Sequence, residues 1–175
     1  MKDTLISRRE FLKDIGMIGA GVLLSASPWL SAFSEVVETS GEKCRLAIIG
    51  PGSRGRFLMS FLVQNPKVEI VALCDIYKPS IEKALELAPK AKVYDDYREI
   101  LEDKTVDAVL VATPLNSHCQ IVLDAFDAGK HVFCEKSIGF TMEECFRIYN
   151  KHISTEKVLP GSNVFLIRDT LRPWK

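Results

Sequence analysis

Gly50, Gly52 and Gly55 stand in G-x-G-x-x-G spacing, directly after a short apolar run from Arg45 to Ile49 and before apolar positions at Phe57, Leu58, Phe61 and Leu62. In such a turn the first glycine permits the tight bend, the second lets backbone approach a pyrophosphate, and the third lets helix and strand close on one another. A helix that starts there turns its free N–H groups and positive dipole end toward an anion. Asp75 lies twenty residues past Gly55, at the end of a second apolar run. A carboxylate so placed accepts both hydroxyls of a ribose. Glycine clusters also serve ordinary surface turns. Here a strand before, a helix after and an acid beyond make a dinucleotide-phosphate site the stronger reading.

Two further residues carry chemistry by type and position. Lys136 follows an apolar run, His131 to Cys134, with Glu135 between. A lysine at a strand end can polarise a substrate oxygen or move a proton, the more so where partial burial lowers its pKa. The bland alternative is a solvated surface lysine paired with Glu135. His118 opens a helical stretch near the same edge, where it is either a site residue or a structural histidine.

The elements that position these residues alternate. Strand-like runs at residues 45–49, 68–74, 92–94, 107–113 and 131–134 are separated by stretches of helical period, and the last is followed by another. Asp107 to Thr113 is continuously apolar after its first residue, as in a strand buried on both faces of a parallel sheet. Pro79 falls in the first turn of a helix from Pro79 to Leu87, and Asp95 or Asp96 caps a brief one over 97–102. A helix over 117–128 ends at Gly129, and Thr141 to Glu144 is a capping box that opens a helix to about Lys151. The expected fold is α/β, a Rossmann-type doubly wound parallel sheet with right-handed crossovers. Ligands of such sheets bind beyond the carboxyl ends of the strands.

Composition sets outer limits. The 175 residues include 23 basic and 23 acidic side chains, so no basic surplus points to nucleic acid, and 47% hydrophobic content suffices for one domain of ordinary size. The five cysteines, at 44, 74, 119, 134 and 145, show neither CxxC nor Cys/His metal spacing. They read as buried thiols, with neither a disulfide framework nor a metal site expected.

The order IIGPGSRGR, VALCD, DAVLVATPLNSH and AGKHVFCEKS resembles the Gfo/Idh/MocA oxidoreductases, relatives of glucose-fructose oxidoreductase and inositol dehydrogenase, over about residues 44–159. The resemblance implies NAD or NADP as cofactor, held by Gly50, Gly52, Ser53, Arg54, Gly55 and Asp75, with Thr113, Pro114, Asn116 and His118 along its path. Glu135 and Lys136 match the family's Glu-Lys-Pro motif, whose lysine contacts cofactor and substrate and is the implied catalytic residue. The motif's proline is Ser137 here. Asp75 would repel a 2′-phosphate and Lys78 would offset part of that, which favours NAD over NADP. The implied activity is hydride transfer between nicotinamide and a hydroxyl carbon of a sugar or polyol. The alternatives are an exported glycosidase that uses NAD transiently and a non-catalytic nucleotide-binding remnant.

Before residue 44 the chain has a different character. Ser7-Arg8-Arg9-Glu10-Phe11-Leu12-Lys13 precedes a charge-free stretch from Ile15 to Ser34 that holds Gly16, Gly19, Gly21 and Pro28. It resembles a twin-arginine export signal over residues 1–34, which implies the export machinery as a partner and a periplasmic location. The alternative is an uncleaved membrane anchor, although glycine, serine and proline make a poor span. Residues 35–43 read as a polar linker.

The resembling family carries a second domain with the substrate pocket, and residues 160–175 do not resemble its continuation. Codons chosen for Gly161 to Lys175 and read from the third base give QQRLFDPRYIKAME, a string that looks like that continuation. Apart from the six-codon residues Ser162, Leu166, Arg168, Leu171 and Arg172, only the first base of each shifted codon is free to choose. A frameshift near Leu159 is therefore expected to have replaced the second domain. Sequencing the gene should reveal an alternate frame that stays open past the stop, and a closed frame would end the idea.

Overall fold

A computed structural model describes residues 43–155. The expected export signal, nearly all of the linker and the 160–175 tail lie outside the described residues.

Five strands and five helices alternate. They are β1 (Cys44–Ile49), α1 (Ser53–Leu62), β2 (Val68–Cys74), α2 (Lys78–Leu85), β3 (Lys92–Tyr94), α3 (Tyr97–Glu102), β4 (Ala108–Val111), α4 (Leu115–Asp127), β5 (His131–Cys134) and α5 (Met142–Ile153). The strands form one sheet in the order β3-β2-β1-β4-β5, and every pairing is parallel. The chain winds outward from β1 through β2 to β3. It then crosses back to lay β4 on the other side of β1, so the switch in winding falls between the carboxyl ends of β1 and β4. This is the expected doubly wound fold.

Strand periodicity divides the core into two layers. Leu46, Ile48, Leu73, Leu110 and Phe133 point to one face and pack on Leu58, Met59 and Leu62 of α1 and on Ile81 and Ala84 of α2. Ala47, Ile49, Cys74, Val109, Val111 and Cys134 point to the other, against Ile100 of α3, Val122, Ala125 and Phe126 of α4, and Ile148 of α5. Every residue of β4 is buried. Its continuous apolar run is what a strand covered on both faces requires.

The helix boundaries follow local chemistry. Asp96, rather than Asp95, caps α3 by accepting the Arg98 N–H. Thr141 and Glu144 form the reciprocal capping box of α5, which runs two residues further than expected, to Ile153. Gly129, at φ +70, ends α4 while Gly129 N–H bonds Phe126 O and Lys130 N–H bonds Ala125 O, the paired bonds of a Schellman turn. Two further boundaries differ from expectation. α4 starts at Leu115, because Pro114 is itself the residue before the first turn, and α2 stops at Leu85, short of Leu87.

All five cysteines are free thiols, four of them buried. Burial pushes Cys44 and Cys74 up to about 11, with Asp107 adding for the first and Asp96 and Asp75 for the second. A raised folded-state pKa favours the neutral thiol in the fold. Its contribution to stability is complete below the unfolded thiol's value of about 8.5 and is lost as pH rises through the folded value. The melting temperature should therefore fall between pH 9 and about 11 more steeply in the wild type than in a Cys44→Ala/Cys74→Ala double variant. Parallel pH profiles would refute the assignment.

Candidate functional site

The carboxyl edge at the β1–β4 switch collects most of the chemistry-bearing residues. β1 ends at Ile49, and Gly50 donates its N–H to Cys74 O at 2.8 Å while Ala112 donates to Ile49 O at 2.9 Å. The turn is thereby fastened on both sides before α1 begins.

Each glycine of the turn has a separate steric duty. Gly50 has φ +84, and a Cβ there would lie 2.8 Å from both Thr113 Cγ2 and Thr113 N. A Cβ on Gly55 would lie 2.6 Å from Gly50 O, so α1 approaches the turn more closely than any side chain permits. Gly52 differs from both, since its φ of −62 suits any residue and nothing stands within 4 Å of its Cβ position. The space over Gly52 is the approach that a pyrophosphate needs. Gly52 also precedes α1 without a side chain to cap it, and Ser53 and Arg54, both exposed, form the helix's first turn. Backbone N–H groups and the helix dipole therefore face that space. The residues present fit the phosphate half of a dinucleotide cofactor.

Asp75 stands just past β2, half-buried, and its Oδ1 accepts the Tyr77 N–H at 2.9 Å. Among the described residues Oδ2 takes part in no hydrogen bond, so this oxygen remains for ribose hydroxyls. Lys78 begins α2 close by and is exposed.

On the β4 side, Thr113 is half-buried and its hydroxyl accepts from Ser117 Oγ at 2.8 Å, while Pro114 and Asn116 are exposed. His118 reaches the same edge but faces inward. It is 2% exposed, its Nδ1 lies 2.7 Å from Ser137 O, and its Nε2 lies 2.8 Å from Thr113 O. A ring held between two carbonyls beneath the surface supports the edge from below.

Glu135 and Lys136 complete the edge beyond β5. Glu135 is 8% exposed, and its Oε1 accepts from Arg54 Nε at 2.8 Å while its Oε2 accepts the Lys136 N–H at 3.2 Å. The arginine of the glycine turn is thus tied to the residue before the lysine. That pair joins residues 81 apart, and sequence spacing gave no signal for it. The bland alternative of a Glu135–Lys136 ion pair is not what forms, because Glu135 meets Arg54 and only the backbone N–H of Lys136. Lys136 itself is exposed, so the partial burial that would lower its pKa is not present among the described residues. The Lys136–Ser137 peptide bond is cis. Among the described residues, no group of three or more His, Cys, Asp or Glu side chains is placed to hold a metal ion.

Residues 44–160 match a family described as an oxidoreductase family with an NAD-binding Rossmann fold, Gfo/Idh/MocA. The chain belongs to that family. It is 34% identical over 162 residues to a glycosyl hydrolase family 109 protein of Stenotrophomonas maltophilia, covering 86% of this chain and 34% of the relative. It is 30% identical to an alpha-N-acetylgalactosaminidase of Shewanella oneidensis, covering 87% of this chain and 38% of that one. It therefore spans little more than a third of the length of these curated relatives. Among solved structures it is similar to myo-inositol dehydrogenase from Lactobacillus casei in complex with NAD(H) and myo-inositol, with TM-score 0.65 and 29% identity over 74% of this chain and 41% of that one. An NAD-binding protein from Listeria innocua gives TM-score 0.63 and 32% identity over 70% and 36%.

The three glycines should separate by substitution. Gly50→Ala forces a left-handed backbone and a clash, and should lower stability by at least about 1–2 kcal/mol. Gly52→Ala has room for its methyl and should leave stability within about 0.5 kcal/mol of wild type. It should nonetheless weaken NAD binding by about tenfold or more, because the methyl stands where the pyrophosphate approaches. Thermal melts with calorimetric NAD titration read both, and Gly52→Ala binding NAD like the wild type would overturn this account of the cradle.

Proposed function

We propose that the edge binds NAD and presents Lys136 to a sugar or polyol whose hydroxyl carbon exchanges a hydride with the nicotinamide. The observation that carries this reading is the 2.8 Å bond from Arg54 to Glu135, which makes the glycine turn and the lysine parts of one edge. Gly50, Gly52 and Gly55, with the first-turn N–H groups at Ser53 and Arg54, take the pyrophosphate. Asp75 takes the adenosine ribose, and its negative charge opposes the extra phosphate of NADP; Lys78 weakens but does not reverse that preference. Thr113, Pro114 and Asn116 line the path toward Lys136.

The bound nicotinamide would supply hydride acceptance and return. This chain's residues do the rest. Glu135 fixes the backbone at Lys136, and the exposed ammonium is free to meet a substrate oxygen, stabilise negative charge there and exchange its proton. The implied catalytic residue is thus Lys136, acting on the substrate hydroxyl.

A second reading has its own support. The relatives from Stenotrophomonas and Shewanella carry glycosidase names. In that reading the same edge serves oxidation and later reduction of one sugar, so the glycosidic oxygen is eliminated and water added with no net redox change. The curated relatives are much longer than this chain, and substrate choice is proposed for the full-length architecture.

One assay separates the readings. The full 175-residue chain is titrated with NAD and with NADP, then incubated with myo-inositol or with an aryl α-N-acetylgalactosaminide. NAD should bind at least about tenfold tighter than NADP, the order of a specific charge contact. Net NADH release supports the oxidoreductase, and free sugar without net NADH supports the glycosidase. Binding without turnover marks a nucleotide-binding remnant, and failure to bind either dinucleotide would sink the proposal as a whole.

A further inference from the structure

The segment that carries Lys136 has few fastenings. Among the described residues β5 pairs with β4 alone, so after Cys134 the chain leaves the sheet with a described neighbour on one side. Glu135 N–H still bonds Val111 O at 2.9 Å, and Lys136 N–H bonds the Glu135 side chain at 3.2 Å. Ser137 has no ring of its own to fix its backbone. The Ser137 carbonyl is instead met by His118 Nδ1 at 2.7 Å.

We infer that His118 is a positioning residue for Lys136. This rests on the reading above, in which Lys136 stands at the nicotinamide end of a bound dinucleotide. The imidazole bridges two strand ends, meeting Thr113 O past β4 with Nε2 and Ser137 O past β5 with Nδ1. It is 2% exposed, so bulk water has little access to either contact. A neutral imidazole carries one ring hydrogen and so donates to one of the two carbonyls; we place that hydrogen on Nδ1, which then donates to Ser137 O. The Ser137 bond lies one residue from Lys136 and on the opposite side of it from the Glu135 bonds. Lys136 is therefore held from both flanks, by Glu135 before it and by His118 after it. Ile138, 2% exposed, anchors the chain immediately beyond.

The two contacts can be restored one at a time. An asparagine amide nitrogen falls near the place of Nδ1 and a glutamine amide nitrogen near that of Nε2. His118→Asn therefore keeps a donor for Ser137 O, and His118→Gln keeps one for Thr113 O. His118→Phe fills the space and keeps neither.

Acetylation of Lys136 in the full chain, quantified by peptide mass spectrometry with and without saturating NAD, reads the lysine's placement. NAD should slow the reaction in the wild type and in His118→Asn. In His118→Phe and His118→Gln that shielding should fall by about tenfold, since a misplacement of about 1 Å at a reacting group costs up to about a hundredfold. Because the ring also meets Thr113 O beside the cofactor path, each variant is compared at equal NAD occupancy set from its own titration. Shielding retained in His118→Phe at equal NAD occupancy would overturn the inference, as would rescue by glutamine but not asparagine.

Amide hydrogen exchange across residues 135–139 in the NAD-free chain tests the same claim without the cofactor. Exchange there should accelerate by about tenfold in His118→Phe and recover in His118→Asn, as loss and return of a local fastening require. Unchanged exchange would overturn the inference. Should the wild type bind no NAD, the functional reading fails, and the exchange data alone decide whether His118 holds the Lys136 segment.

Discussion

The carboxyl edge depends on how closely backbone meets backbone at the first turn. Gly50 lies against Thr113 and Ala112, and Gly55 lies against Gly50, at distances where a Cβ would overlap its neighbours. These contacts draw α1 down onto the end of β1 and set β1 beside β4 at the switch point. The open face over Gly52 exists because its two companions are tightly closed. One six-residue turn, Gly50 to Gly55, thus fixes the helix start, the crevice and the position from which Arg54 extends.

Arg54 carries that arrangement across the sheet to β5. Its guanidinium is about half exposed, whereas the Glu135 carboxylate it meets is almost wholly buried. A buried carboxylate without partners is costly, so Glu135 needs both the guanidinium and the Lys136 N–H that it holds. The turn and the lysine segment consequently share one acid. A change in either is felt by the other through it, even though α1 and β5 share no strand pairing. His118 makes the matching connection beneath, between the ends of β4 and β5.

What the sequence makes legible here is local. The glycine spacing, Asp75 at the end of β2, the Thr141–Glu144 box and the Gly129 stop involve residues within a few positions of one another or of a strand end, where geometry follows from residue type. The unbroken apolar run before Thr113 likewise identifies a strand covered on both faces. The Arg54–Glu135 pair and the His118–Ser137 contact span 81 and 19 positions. They exist only once the winding order has placed β5 beside β4 and α4 above both. His118 shows the difference plainly: its type and place suggest a ligand-facing residue, yet the pitch of α4 from Leu115 onward turns its ring into the protein. Lys136 shows the converse, since it stands exposed although it closely follows a strand whose last three residues are buried.

Shared architecture constrains the chemistry without choosing it. In the proposed reading, a cradle for pyrophosphate, an acid for ribose and a lysine beyond β5 would together place a reactive carbon beside a proton-exchanging group. That much suits net oxidation of a polyol and transient oxidation within a glycoside equally well. What separates the two outcomes is whether the hydride returns to the same sugar before the product leaves, which depends on the groups that hold the sugar over Lys136. Function lies in what is set above that edge.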